Sequence, residues 1–334
     1  MQSVSRVAVS LVGLLAAAGL VAGCGKAGSS GTQAPASNAA AGGCAPVAGD
    51  KLVLLDDDKH LQNADNIIAA VNSKVAKPEL IAALDKVSTT LDPQKLIALN
   101  KATDIDHKTS AVAAQEFAQA NNLTSGITKG AGGPVVIGAG NFSESQTLAE
   151  LYKIALTAAG YTATTQAIGN RELYEPSLEK GQIQVVPEYA ATLAEFINGK
   201  VNGASAAPVA SPDVDKTVAA LKDLGGKVGL SFGKASTAND QNAFAVTTAF
   251  ASKYGVKSLS DFASKCSGKD SILGGPPECP KRPFCQVGLQ NTYKIQFGQF
   301  KSLDVSGPLT KKALNGGQIS MGLVTTSDAA LAQS

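Results

Sequence analysis

Val135-Val136-Ile137-Gly138-Ala139-Gly140-Asn141-Phe142-Ser143-Glu144-Ser145 changes its periodicity halfway along. Val135 to Gly138 reads as a buried strand, because the run is short, apolar and closed by small residues. Gly-Ala-Gly makes a turn. From Ser143 to Ala159 the apolar residues recur three and four apart, which predicts an amphipathic helix with Ser143 as its N-cap. The alternation continues outward: strand Thr162–Ala167, helix Leu173–Lys180 stopped by Gly181, strand Ile183–Pro187, helix Ala190–Asn198 and a helix at 213–224. Strands that alternate with helices predict an α/β fold with parallel sheet order. Ligands in such folds sit beyond the carboxyl ends of the strands. Here that points at the Gly-Ala-Gly turn and the helix N-terminus behind it, which suits a polar ligand group.

A second set follows. Phe244–Thr248 reads as a strand, Leu259-Ser260-Asp261 starts a helix that runs to Lys265, and Leu289–Tyr293, Leu309–Leu314 and Ile319–Thr325 complete it. Upstream, Lys51–Leu55 is a short strand ending in the acidic turn Asp56-Asp57-Asp58-Lys59, which reads as solvated. Pro78–Ser88, Pro93–Asn100 and Ser110–Ala120 read as three helices, and Thr124–Gly133 as a Gly-rich linker.

The N-terminus decides the compartment. Arg6 precedes an apolar stretch, Val7–Val21, that is shorter than the ~20 residues a bilayer span needs. Val21-Ala22-Gly23-Cys24 closes it, so residues 1–23 read as a secretory signal. A cysteine at this cleavage point resembles a bacterial lipobox, which implies lipidation of Cys24. Gly25–Gly43 is small and polar, a tether between the anchor and the folded body. The expected chain is therefore exported and membrane-anchored through lipid. Two α/β sets on an exported chain predict a bilobed periplasmic-binding-protein-like fold of type II, with the ligand cleft between the lobes.

Composition narrows the function. The chain has 334 residues, a formal charge of +2, 44% hydrophobic residues, 5% aromatic and no Trp. The near-neutral charge argues against nucleic acid as a partner. His60 and His107 are the only histidines, both in polar turns and without a G-x-S-x-G partner, which argues against an exported α/β hydrolase. Gly138-Ala139-Gly140 has Ser143 at the third glycine position of a dinucleotide fingerprint, so no nucleotide cofactor is expected. With Cys24 set aside, Cys44, Cys266, Cys279 and Cys285 remain, and four cysteines allow three pairings. No CxxC spacing suggests a metal. Cys279 and Cys285 bracket a stiff loop, Pro280-Lys281-Arg282-Pro283-Phe284, that a bridge would close; Cys44 would then pair with Cys266.

The residues also carry a resemblance. Ile137–Ser145 is similar to the "IGSKNFTEQ" opening of the glycine betaine/choline/carnitine class of ABC-importer substrate-binding proteins. Glu179-Lys180-Gly181-Gln182-Ile183 and Pro187-Glu188-Tyr189-Ala190-Ala191-Thr192 resemble that family's "LxxGxID…PEYTGT". Leu259-Ser260-Asp261-Phe262-Ala263 resembles "SDLA". Gly288-Leu289, Tyr293 and Thr326-Ser327-Asp328 resemble "GL…YG" and "STDG". Leu55-Asp56-Asp57-Asp58-Lys59 resembles the "LEDDK" that normally follows "STDG", yet here it stands near the front. The resemblance therefore implies a circular permutation, with the family's C-terminal tail at 51–123 packing on the first lobe, the linker at 124–133, the first lobe at 134–229 and the second at 230–334. A single covalent hinge near 229–240 and a Cys44–Cys266 staple onto the second lobe follow from that reading.

The resemblance implies a solute-binding component rather than an enzyme, with a small-molecule solute, a permease and an ATPase as partners. A ligand sensor of the same fold is the alternative. Its site would fall on Asn141, Phe142 and Ser145 of the first loop, on Glu188, Tyr189 and Thr192, on Asn239, Asp240, Gln241 and Asn242, and on Glu278 and Arg282. Thr310 stands where the family places a Tyr, and Asn242 replaces another. Arg171-Glu172-Leu173-Tyr174 opens a helix able to face the cleft, which adds Arg171 and leaves Tyr174 open. Tyr152 and Tyr293 read as packing residues. In the family a quaternary ammonium sits among aromatic faces. Polar residues at two of those places imply a depleted cage and a ligand with hydroxyl or amide groups.

Overall fold

The computed structural model describes residues 42–331; the expected signal at 1–23, the expected lipidation site Cys24 and the expected tether up to residue 41 lie outside the described residues. Two five-stranded sheets organise the body. Elements in chain order are β1 (Leu52–Leu54), β2 (Ile67–Asn72), α1 (Pro78–Thr90), α2 (Pro93–Asp104), α3 (Ser110–Ala120), β3 (Gly133–Gly140), α4 (Ser143–Ala158), β4 (Tyr161–Gly169), α5 (Arg171–Glu179), β5 (Val185–Tyr189), α6 (Ala190–Asn202) and α7 (Val214–Lys227). Then come β6 (Leu230–Phe232), β7 (Asn242–Thr247), α8 (Thr248–Tyr254), α9 (Leu259–Cys266), β8 (Gly268–Gly275), β9 (Phe297–Ser302), a helix at Pro308–Asn315 and β10 (Met321–Thr325).

The first sheet has the order β4-β3-β5-β2-β6 and the second β1-β7-β10-β8-β9. Read from its parallel edge, each sheet has three parallel strands, then one antiparallel strand, then a short edge strand. The expected all-parallel order is corrected by β2 and β7, which run against their neighbours β5 and β10. Each is the strand that receives the chain from the other lobe, so it enters its sheet from the cleft end.

β2 is buried along its whole length. Ile67, Ala69 and Val71 pack against Leu80, Leu84, Leu96, Leu148 and Leu151 on one face. Ile68 and Ala70 pack against Leu178, Val186, Leu193 and Leu221 on the other. A strand covered on both faces needs no polar alternation. Each fully buried Leu or Ile contributes about 1.5–3 kcal/mol.

β1 departs from the expected arrangement. It pairs with β7, Leu52 opposite Thr247, and so belongs to the second sheet. Only from β2 onward does the segment 51–123 pack on the first lobe. β6, likewise, lies in the first sheet beside β2, so the second lobe begins after Phe232 and not at residue 230. The chain therefore crosses between lobes twice, at 55–66 and 233–241, and the expected single hinge is corrected to a double one. The two crossings bond to each other: the Ile67 amide donates to the Ala238 carbonyl at 3.1 Å and the Asp240 amide to the Asp65 carbonyl at 3.1 Å, around an antiparallel Asn66–Asn239 bridge.

The acidic turn is more than a solvated surface. Asp57 accepts the Leu61 amide at 2.9 Å, the Gln62 amide at 2.8 Å and the Tyr293 hydroxyl at 2.5 Å, and so shapes the first crossing. Ser143 is the first helical residue of α4, and Phe142 holds the N-cap position with no side-chain cap, so the expected Ser143 cap is corrected. Both disulfides are present. Cys44 joins Cys266, which fixes the segment before β1 onto the second lobe, and Cys279 joins Cys285.

Candidate functional site

A cleft of about 760 Å³ lies between the two lobes. Its position follows from the loops at the carboxyl ends of β3 and β5 and from the second crossing. β3 ends at Gly140, where a Cβ would lie 2.7 Å from the Phe142 ring, so only glycine lets that ring fold back beside the strand. Phe142 then pairs with Tyr189 at a centroid distance of 6.3 Å. Both rings line the cavity, with Tyr174, Phe196 and Phe284.

The floor is a buried polar network. Arg171 clasps Glu188 through Nε at 2.9 Å and Nη2 at 2.6 Å, and also donates to the Thr192 hydroxyl at 2.8 Å. The Tyr174 hydroxyl donates to Glu188 at 2.9 Å. Burial works against the charge on Arg171, and Glu188 more than offsets it, holding the guanidinium protonated. Asp65 accepts the Thr192 amide at 3.0 Å. Burial pushes its carboxyl up to about 7, against the Thr192 hydrogen bonds and the Arg171 charge. Asp240 accepts the Ser327 amide at 3.0 Å, and burial, followed by the charge of Glu144, holds its carboxyl well above the usual range.

Two polar contacts bridge the lobes at the mouth. Arg282, within the Cys279–Cys285 loop, pairs with Glu172 of α5 at 2.9 Å, and Asn170 donates to Glu278 at 3.3 Å. Phe284 in the same loop accepts from Asn242 Nδ2 at 3.1 Å and from Gln62 Nε2 at 3.0 Å through its carbonyl.

Most of the residues expected from sequence meet here. Asn141, Phe142, Arg171, Tyr189, Thr192, Asp240, Asn242, Glu278 and Arg282 line the cavity, and so does Tyr174. The others do not. Ser145 is buried and accepts the Gly140 amide at 2.8 Å, bracing the turn from behind. Asn239 sits in the crossing bridge, Gln241 bonds to Asn63, and Glu188 is buried in the floor network without lining the cavity. Thr310 is fully buried and bonds to Asp304, so it cannot stand in for a cage aromatic. Five aromatic side chains line the cavity, and Asn242 lines it where the resemblance implied a further ring. Asp65, Phe196, Phe284 and Val305 also line it and were missed, because none lies in a recognisable motif. For Asp65 a signal existed in principle: an acidic residue beside a strand buried on both faces. Tyr152 is buried in the first lobe's core, and Tyr293 bonds to Asp57, both in packing roles.

The family model for the substrate-binding domain of ABC-type glycine betaine transport systems matches residues 45–120 and 133–334. A solved structure described as a glycine betaine/carnitine/choline ABC transporter is 21% identical, covers 60% of this chain and 71% of its own, and superposes with a TM-score of 0.37. No curated protein is significantly similar to the chain.

Proposed function

Because the chain belongs to the family of substrate-binding domains of ABC-type glycine betaine transport systems, we propose that it is the extracytoplasmic, lipid-anchored solute-binding component of an ABC importer. No helix among the described residues is long and apolar enough to cross a membrane. The lipobox-like Cys24 supports the anchor. The solute is a compatible solute of the glycine betaine/choline class or a related small polar cation. The single observation that carries this reading is the cleft between the lobes, which is lined by the Phe142–Tyr189 ring pair together with Asp65 and Asp240. Ring faces attract a cation, and two buried carboxyls gain from one. Closure over the solute would present the liganded shape to the permease and its ATPase.

The circular permutation belongs to the same proposal. The LEDDK-like turn Leu55–Lys59 ahead of β2, and the packing of α1 and α2 against α4 of the first lobe, support it. A rearranged chain that runs 133–331, a short linker, then 42–120 should fold and bind as the natural chain does; failure to fold would count against it.

A thermal-shift panel of glycine betaine, choline, carnitine, amines and polyols tests the function. A true ligand at one hundred times its Kd adds about 2.7 kcal/mol. A shift with at least one of them is expected. No shift with any, on protein refolded to strip carried-over solute, would overturn the reading.

A further inference from the structure

The loop that follows β8 is closed by the Cys279–Cys285 bridge. It meets the cleft, both crossings and the opposite lobe. Lys281, Arg282, Pro283 and Phe284 within it, and Glu278 just ahead of it, line the cleft. The Phe284 carbonyl accepts from Gln62 Nε2 at 3.0 Å and from Asn242 Nδ2 at 3.1 Å. Gln62 belongs to the first crossing, and Asn242 directly follows the second. The first crossing also packs against the loop. At Gly288 a Cβ would lie 2.1 Å from the Pro283 carbonyl oxygen and 2.5 Å from Leu61 Cδ1. Arg282 reaches across to Glu172 of the first lobe at 2.9 Å.

Local backbone structure does little to fix this loop. It holds a single 3-10 turn, Cys279–Lys281, continued by the Arg282 amide to the Cys279 carbonyl at 3.2 Å and the Cys285 amide to the Arg282 carbonyl at 3.1 Å. Such turns have poor hydrogen-bond geometry and persist only in short pieces. The bridge ties the two ends together. Both cysteines are buried, Cys279 at 0% and Cys285 at 1% exposure, so solvent thiols do not reach the bridge in the folded chain. It spans 6 residues of sequence, against 222 for Cys44–Cys266. In the chain-entropy account a cross-link stabilises more as the loop it closes grows, so the short bridge contributes less to stability than the long one. What the short bridge does is remove alternative shapes of a cleft-lining loop before the solute arrives.

We infer that the Cys279–Cys285 bridge serves binding rather than stability: it pre-organises the loop as a rigid jaw that ties solute contact in the cleft to the position of the two crossings. Cys279 and Cys285 are positioning residues, since neither lines the cleft. A solute that touches Pro283 or the Phe284 ring bears on a loop whose Phe284 carbonyl holds Gln62 and Asn242 together. A slack loop would have to be ordered at the moment of binding, and that ordering is subtracted from affinity. This inference deepens the solute-binding reading and rests on it.

The test titrates glycine betaine, choline and carnitine calorimetrically against the whole exported chain and carries the tightest binder of the three to the variants, with solute-free Tm measured alongside. Cys279→Ala with Cys285→Ala should weaken Kd about tenfold or more, because the loop must then be ordered on binding. Its Tm should fall less than that of Cys44→Ala with Cys266→Ala, whose Kd should stay within about twofold of the natural chain. Gln62→Leu, outside the cleft lining, removes one of the two bonds to the Phe284 carbonyl and should weaken Kd about two- to fivefold. If the Cys279/Cys285 variant does not fold, Gln62→Leu decides alone. A Kd unmoved in either folded variant overturns the inference. So does a Tm loss from the Cys279/Cys285 pair as large as that from the Cys44/Cys266 pair, or an equal loss of affinity from both pairs. A natural chain that binds none of the three solutes overturns the solute-binding reading, and the inference falls with it.

Discussion

At Asp65 one oxygen accepts the Thr192 amide while the side chain lines the cavity, and the carboxyl titrates near 7 instead of at its ordinary 3.8. A raised folded-state value favours the protonated form in the native protein. Its contribution to stability is full below about pH 3.8, and it is lost as pH rises through about 7. Asp65→Asn keeps the neutral shape. The ligand-free variant should therefore show a flatter dependence of Tm on pH between 4 and 8 than the natural chain, with a higher Tm at pH 8. An unchanged slope would place the titration elsewhere. The same residue links binding to pH: a cationic solute prefers the carboxylate, so its affinity should rise between pH 5 and 8 in the natural chain and less in the variant. Arg171 gives a second prediction at this scale. Arg171→Met leaves Glu188 buried and unpaired, which should cost about 3–5 kcal/mol in denaturant unfolding. Residues within a motif, such as Asn141, Tyr189 and Thr192, were legible in the sequence. Asp65 was not, because the first crossing brings it to the site and no motif marks it. Thr310 misled for the opposite reason: its place in a motif says nothing of the Asp304 contact that buries it.

Among the elements, the helices α1 to α4 and the strands β3 to β5 follow the periodicity that announces them. β2, β8 and β9 do not. Ile67–Asn72 is a short apolar run that suits a helix or a strand equally until both faces are seen to be covered. Gly268–Gly275 hides its strand behind glycines; at Gly274 a Cβ would lie 2.5 Å from Ile319 Cδ1. The Cys44–Cys266 bridge closes a sequence separation of 222 residues. Replacing both cysteines by serine should cost about 2–5 kcal/mol, seen as a lower Tm that reducing agent no longer changes through this bridge. The latch between α5 and the Cys279–Cys285 loop acts on kinetics. Glu172 and Arg282 are partly exposed, and such pairs contribute about 0.2–1 kcal/mol. Arg282→Ala should therefore speed solute release by about two- to fivefold, with Tm nearly unchanged; a large loss of Tm would make the pair structural instead.

The molecule as a whole is two sheets of matching strand order joined by two mutually bonded crossings. The bonded pair of crossings at 55–66 and 233–241 is the hinge about which the proposed closure would turn. The bilobed class was readable from two α/β sets in succession, but the partition between lobes was not: β1 and β6 are edge strands of three residues each, and only pairing assigns them to a sheet. The central claim is that the cleft between these lobes holds a small cationic solute. Titration calorimetry of the natural chain at pH 8 with glycine betaine, choline and carnitine decides this. Saturable one-to-one binding of at least one of them is expected, weakened at least tenfold by Phe142→Ala. No heat of binding with any, or binding that Phe142→Ala leaves untouched, would contradict it.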